Sequence, residues 1–145
     1  MSDLEAGIDA FLAGEPFAVV GASSNRAKYG NKVLRCYLQH GRAAHPVHPF
    51  ETEVEGRKAW KSLSALQEGL GKPVHAISII TPPPVTERII EEAGKLGIRH
   101  VWMQPGAESG AAIARAEELG MNVIAGGACV LVVLGYREHA PVPPA

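Results

Sequence analysis

Four apolar residues, Phe17-Ala-Val-Val20, run without interruption into Gly21. A strand with one solvated face alternates, so an unbroken run reads as a strand buried on both faces, as in a parallel sheet with helices above and below. A small polar loop follows. From about Lys28 the residues Val33, Leu34, Tyr37 and Leu38 recur at helical spacing until Gly41 stops them. Strand, glycine turn and helix in that order make an anion cradle, because the first helical turn leaves N–H groups unpaired and carries a partial positive charge. Ser23, Ser24 and Asn25 add short donors, and Arg26 and Lys28 add full charges near the same spot. The rest of the chain is expected to build a nucleotide site around this loop.

The alternation of strand and helix continues. Leu4, Ile8, Phe11 and Leu12 share one face of an N-terminal helix that opens on the capping-box pattern Ser2-Asp-Leu-Glu5 and packs on the sheet as residues 1–14. A short second strand, Ala43 to Pro49, is broken by prolines, and Glu51 to Trp60 reads as an irregular excursion with Gly56 at a turn. Ser64-Ala-Leu-Gln67 suits the start of a short helix ending at Gly71. Val74 to Ile80 is a strand delivered into Thr81-Pro-Pro-Pro84, which begins a helix with Val85, Ile89, Ala93 and Leu96 facing inward. Ile98 to Met103 is a strand ending in Gln104-Pro-Gly106, followed by a helix with Ala112, Ile113, Ala116 and Leu119 inward. Met121 to Ala125 is the last strand. Val130 to Leu134 fits a helix or a strand, and the tail 137–145 reads as fraying. The pattern predicts an α/β chain: a Rossmann-like, doubly wound, mainly parallel sheet of five to six strands with helices on both faces, forming one domain over 1–145. In such sheets ligands bind beyond the C-terminal strand ends, where the winding reverses. The loops Gly21–Lys28, Val47–Phe50, Thr81–Pro84, Gln104–Gly106 and Gly126–Cys129 should therefore meet on one rim.

Composition narrows the function classes. The 145 residues are 46% hydrophobic and 20% charged, with a formal net charge of -1 and no Lys/Arg run, so nucleic acid has no basic footprint to bind. The longest apolar run, Ala128 to Leu134, is too short to cross a bilayer, and the acidic N-terminal stretch lacks the order of a secretory signal. Cys36 and Cys129 make no disulfide framework, which suits free thiols and a cytoplasmic location. His40, His45 and His48 lie on a helix end, a turn and a strand without a cysteine or carboxylate partner, a spacing that suits surface histidines better than metal ligands. Trp60, Trp102 and Cys36 fit the core. No triad, carboxylate pair or nucleophile elbow stands out, so no catalytic residue is assigned.

Two common nucleotide signatures are missing. A dinucleotide fold usually carries G-x-G-x-x-G and an acid about 20 residues on for the ribose. Here Gly21 stands alone in the turn, and the second strand ends in Pro46-Val-His-Pro49. No G-x-x-x-x-G-K-[ST] is present either.

Val20-Gly-Ala-Ser23 with Lys28-Tyr-Gly30, then Pro46-Val-His-Pro49, Thr81-Pro-Pro-Pro84 and Trp102-Met-Gln-Pro-Gly106 resemble the small bacterial CoA-binding protein family, which is related to the CoA-binding domain of succinyl-CoA synthetase alpha subunits. The resemblance spans roughly Phe17 to Cys129. It implies a Rossmann-like domain that binds coenzyme A or acyl-CoA as a non-catalytic module. It also implies that Gly21, Ala22, Ser23, Ser24 and Lys28 hold the CoA phosphates, with Arg26 adding charge to that loop. Val47, His48, Pro49 and Phe50 would border the adenosine end, and Thr81, Pro82 and Pro83 the other side of the nucleotide. Gln104 and Gly106 would lie nearer the pantetheine arm. Two positions depart from the family pattern: His48 replaces an asparagine, and Gly126-Gly-Ala-Cys129 replaces an Asp-Arg-Cys type of ending. The phosphorylated histidine of the synthetases belongs to a separate domain, for which this chain leaves no room, so ligase activity is not implied. Cys129 lies where a pantetheine thiol would approach and could form a mixed disulfide with it; a buried, inert thiol is the plainer reading. An NAD(P)-binding redox sensor or small dehydrogenase is the alternative function, and a phosphate-binding scaffold for a protein partner a third.

Overall fold

The computed structural model describes residues 3–145. Helix α1 (Asp3–Leu12) precedes strand β1 (Phe17–Val20), helix α2 (Tyr29–Gln39) and strand β2 (Ala44–Val47). A hairpin of β3 (Glu53–Val54) and β4 (Arg57–Lys58) leads to helix α3 (Leu63–Leu70). Strand β5 (Ala76–Ile79), helix α4 (Pro83–Lys95), strand β6 (His100–Met103), helix α5 (Gly110–Glu118) and strand β7 (Asn122–Ile124) follow, before a π-helical turn at Leu131–Gly135. Ser2 of the capping-box pattern lies outside the described residues.

The main sheet has five strands in the order β2-β1-β5-β6-β7, and every pair is parallel. Alternate residues feed two cores. Ala18, Val20, Ile77 and Ile79 face α3, α4 and α5, where Leu63, Leu66, Ile90 and Ala112 meet them. Phe17, Val19 and Trp102 face the other way, onto Phe11 of α1 and Val33, Leu34 and Tyr37 of α2. Aromatic rings organise this second core: Phe17 stacks on Tyr37 at 4.9 Å, and Phe11 meets Trp102 edge-on at 5.3 Å. Cys36 is fully buried here, as its place on the helix predicts. The fold is the Rossmann-like α/β arrangement expected. From β1 the chain winds outward to β2, then crosses back to β5 on the far side of β1, so the reversal falls between β1 and β5.

Four local expectations need correction. The excursion before Trp60 is an antiparallel hairpin, with Glu53 opposite Lys58 and Val54 opposite Arg57. Its turn residues Glu55 and Gly56 have φ of 51° and 76°, the left-handed pair of a tight hairpin, and a glutamate there hides the turn from sequence inspection. Helix α3 is capped by Ser62, whose side chain accepts the Ala65 N–H, rather than starting at Ser64. The inward face of α4 is Thr86, Ile90 and Ala93, one residue on from the expected Val85 and Ile89. The tail from 137 onward, expected to fray, is tied down: Gln39 donates to the carbonyls of Arg137 (2.7 Å) and Ala140 (3.2 Å), and Arg57 donates to that of Pro143 (2.7 Å).

Candidate functional site: a cleft where the sheet reverses

The ends of β1 and β5 part around Gly21. Its N–H donates to the Val47 carbonyl at 3.0 Å and Ile80 N–H donates to the Val20 carbonyl at 2.8 Å, so three strand ends are stitched together here. Gly21 has φ of 97°, and a Cβ on it would lie 2.2 Å from the Ile80 carbonyl oxygen. Only glycine fits between the two strands. The chain then loops out and returns so that a Cβ on Gly30 would lie 2.1 Å from the Gly21 carbonyl oxygen. The first turn of α2 is thereby pressed against the end of β1.

Beside this contact opens a cleft of about 610 Å³, the size of a small-ligand site. Of the residues nominated from sequence, Gly21, Ser23, Lys28, Val47, His48, Pro49, Thr81 and Pro82 line it. The other nominations lie elsewhere. Ala22 is fully buried beneath the loop. The Ser24 N–H donates to the Glu51 carboxylate. Arg26 does not line the cleft, because its guanidinium is paired with Glu55 through two bonds of 3.2 Å. Phe50 points outward, 86% exposed. Pro83 opens α4 without lining the cleft, and Gly106 sits in an exposed turn with its N–H donating to Glu108 at 3.1 Å. Gln104 is fully buried; its Oε1 accepts the Tyr29 hydroxyl at 3.3 Å and the Val130 N–H at 3.0 Å, while its Nε2 has no partner among the described residues.

Four of the loop amides expected to open toward an anion are used within the protein. Besides Ser24, the N–H of Asn25 donates to Ser23 Oγ, that of Ala27 to Asn25 Oδ1 and that of Lys28 to the Asn25 carbonyl, each at 3.0 Å. These bonds fold the loop on itself. One step along, the N–H groups of Tyr29, Gly30 and Asn31 begin a helix and so have no carbonyl behind them, and among the described residues nothing else accepts from them. Tyr29 and Gly30 line the cleft, as does the N-cap residue Lys28.

The far wall was not visible in the sequence. Lys61 and Ser62, leading into α3, face the cleft together with Val85, Ile89 and Glu92 of α4. Val85 and Ile89 are there because the helix turns Thr86 and Ile90 into the core instead. The Thr86 hydroxyl lies 2.8 Å from that of Thr81 and thereby fixes the proline turn at the cleft edge. The Glu92 carboxylate accepts the N–H groups of Leu63 (3.3 Å) and Ser64 (3.2 Å), so its charge is committed to the start of α3. Neither Lys28 nor Lys61 joins an ion pair among the described residues. They stand on opposite sides of the sheet, one at α2 and the other at α3.

His48 closes the adjoining side. Its Nδ1 accepts the N–H groups of Phe50 (3.0 Å) and Glu51 (3.1 Å) and so holds the turn after β2. An asparagine side chain could accept the same turn amides. The hydrogen bond from Ser24, with the nearby charges of His48 and Lys28, holds Glu51 below the usual carboxylate range. At the inner end, the Tyr29 hydroxyl contacts Cys129 Sγ; burial first, then this contact, push the Tyr29 phenol upward, so it stays protonated. Burial likewise pushes the Cys36 thiol up to about 12. Cys129 is half-buried and one residue removed from the cleft, reaching it through Tyr29. Among the described residues no three His, Cys, Asp or Glu side chains are grouped to hold a metal ion, and no helix is long and apolar enough to cross a membrane.

Residues 15–135, which include both walls of this cleft, match the CoA binding domain family. The chain belongs to the CoA binding domain family. Two curated relatives of this CoA binding domain are an ADP-forming acetate–CoA ligase of Methanocaldococcus jannaschii, 27% identical over 57% of this chain, and the alpha subunit of ADP-forming acetate–CoA ligase II of Pyrococcus furiosus, 32% identical over 65%. The chain aligns with only 11% and 20% of their respective lengths. Among solved structures it is similar to a conserved hypothetical protein of Pyrococcus furiosus, with a TM-score of 0.74 and 37% identity over 83% of this chain and 99% of that one.

Proposed function

We propose that this CoA binding domain holds coenzyme A or an acyl-CoA in the cleft between β1 and β5, as a cytoplasmic binding module that performs no chemistry on it. The observation that carries the reading is the first turn of α2: N–H groups at Tyr29 and Gly30 without an acceptor among the described residues, next to Lys28, at the reversal point of the sheet. The diphosphate of CoA would lie there rather than on the amides of Ser24, Asn25, Ala27 and Lys28, which are already used. Lys61 is assigned to the 3′-phosphate, since a ligand with two separated anionic groups suits two separated cations. The apolar surface of Val85 and Ile89 would lie against the organic part between them. NAD(P) fits less well. Glu51, the acid beyond β2 that could hold a ribose, is engaged with Ser24 instead. Ligase activity is left with the much longer relatives. Calorimetric titration with CoA, acetyl-CoA, NAD and NADP tests the proposal: saturable binding of the first two and none of the last two is expected, and preference for NAD or NADP would refute it.

A further inference from the structure

Glu55 sits in a conformation that side chains rarely adopt, with φ of 51° at the first central position of the β3–β4 turn, where glycine, asparagine or aspartate is usual. What its side chain does there is specific. Its two oxygens accept from Arg26 Nη2 and Nε, both at 3.2 Å, and Oε2 also accepts from Asn31 Nδ2 at 3.1 Å. Asn31 is fully buried and passes the restraint on, donating also to the Ser23 carbonyl at 2.8 Å and accepting from Arg35 Nε at 2.6 Å. Arg35, also buried, donates in turn to the Arg26 carbonyl at 2.9 Å. The loop after β1 is therefore gripped at Ser23 and Arg26 by one polar network whose outer member is Glu55. Arg57 holds the turn itself, donating to the Glu55 carbonyl at 2.8 Å. Burial opposes the Glu55 charge, but the bonds from Asn31 and Arg26 outweigh it and hold the carboxyl below its usual range.

We infer that Glu55 is a positioning residue for the ligand site: it touches no ligand, yet sets the loop so that Ser23 and Lys28 face the cleft. Residues kept in sparsely populated conformations cluster where function requires them, and a glycine at this turn would relieve the strain while releasing the loop. The inference rests on the CoA reading for its affinity readout, and has a second readout that does not.

The test uses Glu55→Gly, Glu55→Gln and Arg26→Ala in the full chain. Glycine suits the turn, so the hairpin is retained. Backbone amides 22–28 should exchange with deuterium roughly tenfold faster in Glu55→Gly while those of β1 and β5 keep their wild-type rates, because the change is local. The Kd for CoA should rise roughly tenfold, the scale of a lost hydrogen bond to a charged group. Glu55→Gln keeps the bond from Asn31 and should lie between Glu55→Gly and wild type, and Glu55→Gly combined with Arg26→Ala should be no worse than Glu55→Gly alone. Unchanged exchange over 22–28, acceleration shared equally by β1 and β5, or local acceleration with an unchanged Kd would each overturn the inference. A wild-type chain that binds no CoA would instead remove the proposed function, and the exchange measurement alone would decide the role of Glu55.

Discussion

Gly21 and Gly30 meet backbone to backbone: a Cβ on Gly30 would sit 2.1 Å from the Gly21 carbonyl oxygen. This contact ties the end of β1 to the first turn of α2 and so sets where the free helix amides point. Gly30→Ala should lower stability by about 1–3 kcal/mol, the usual cost of overpacking. For a domain of this size that is about 2–4 °C in Tm per kcal/mol. Thermal unfolding measures the first effect. CoA titration well below Tm should show weakened binding as well; a variant with wild-type Tm and affinity would mean that the two glycines do not need this proximity.

Lys28 caps α2 without giving its side chain to any cap bond. Lys28→Ala should weaken CoA binding by about 1–3 kcal/mol, the range for a charge-assisted hydrogen bond to phosphate. Its Tm should stay near wild type, because the side chain is exposed. Calorimetry on the variant checks this, and unchanged affinity removes Lys28 from the site.

Lys61 should separate two ligands that differ in one group. Lys61→Ala is expected to weaken binding of CoA by about 1 kcal/mol or more and to leave dephospho-CoA at its wild-type affinity. An equal loss for both ligands would detach Lys61 from the 3′-phosphate.

In the second core the Tyr37 hydroxyl lies 2.6 Å from Ser78 Oγ, with both residues fully buried. Removing one partner strands the other. Ser78→Ala should cost about 1–3 kcal/mol, whereas Ser78→Ala with Tyr37→Phe should cost less than the sum of the two single changes. Denaturant unfolding of the three variants gives the coupling directly.

Acid should destabilise the fold through two histidines. Burial, then the neighbouring His75, lowers His100, and burial followed by Lys72 and Arg57 lowers His45. His100 Nδ1 lies 3.1 Å from Asn122 Nδ2, which donates to it, so the folded chain favours the neutral ring. With folded values lowered, the unfolded state takes up protons first as the pH falls. The stability is therefore complete above the ordinary value of 6.5 and is lost below it toward the lowered values, with a slope of at most about 1.4 kcal/mol per pH unit for each group. Unfolding measured at pH 7.5 and 5.5 should show the loss, and His100→Asn should reduce it without abolishing it, since His45 shares it.

The order of elements was legible because strands buried on both faces leave unbroken apolar runs, as at Phe17–Val20, and because glycines such as Gly71 end helices in the left-handed conformation. The hairpin was not legible, since its turn places a glutamate where turn-forming residues are expected; that glutamate is accounted for by Arg26 and Asn31, which are distant in sequence. On α4, Thr86 looks polar and Val85 and Ile89 look like core. Hydropathy alone cannot tell that the threonine hydroxyl is satisfied by the Thr81 turn and that two aliphatic side chains are left to line a cleft. Lys61 lay in an irregular stretch with no motif of its own. Arg26 looks like a phosphate ligand because sequence shows a charge but not its partner; here the partner is Glu55.

The most direct measurement is an amide NMR titration of the chain with CoA. The largest shifts are expected at Tyr29, Gly30 and Asn31, saturating with a single Kd and reversed by competing pyrophosphate. Shifts confined to other surfaces, such as the α4–α5 groove around Arg88 and Arg115, with the first turn of α2 unmoved at saturation, would contradict the placement of the phosphates and with it the proposed site.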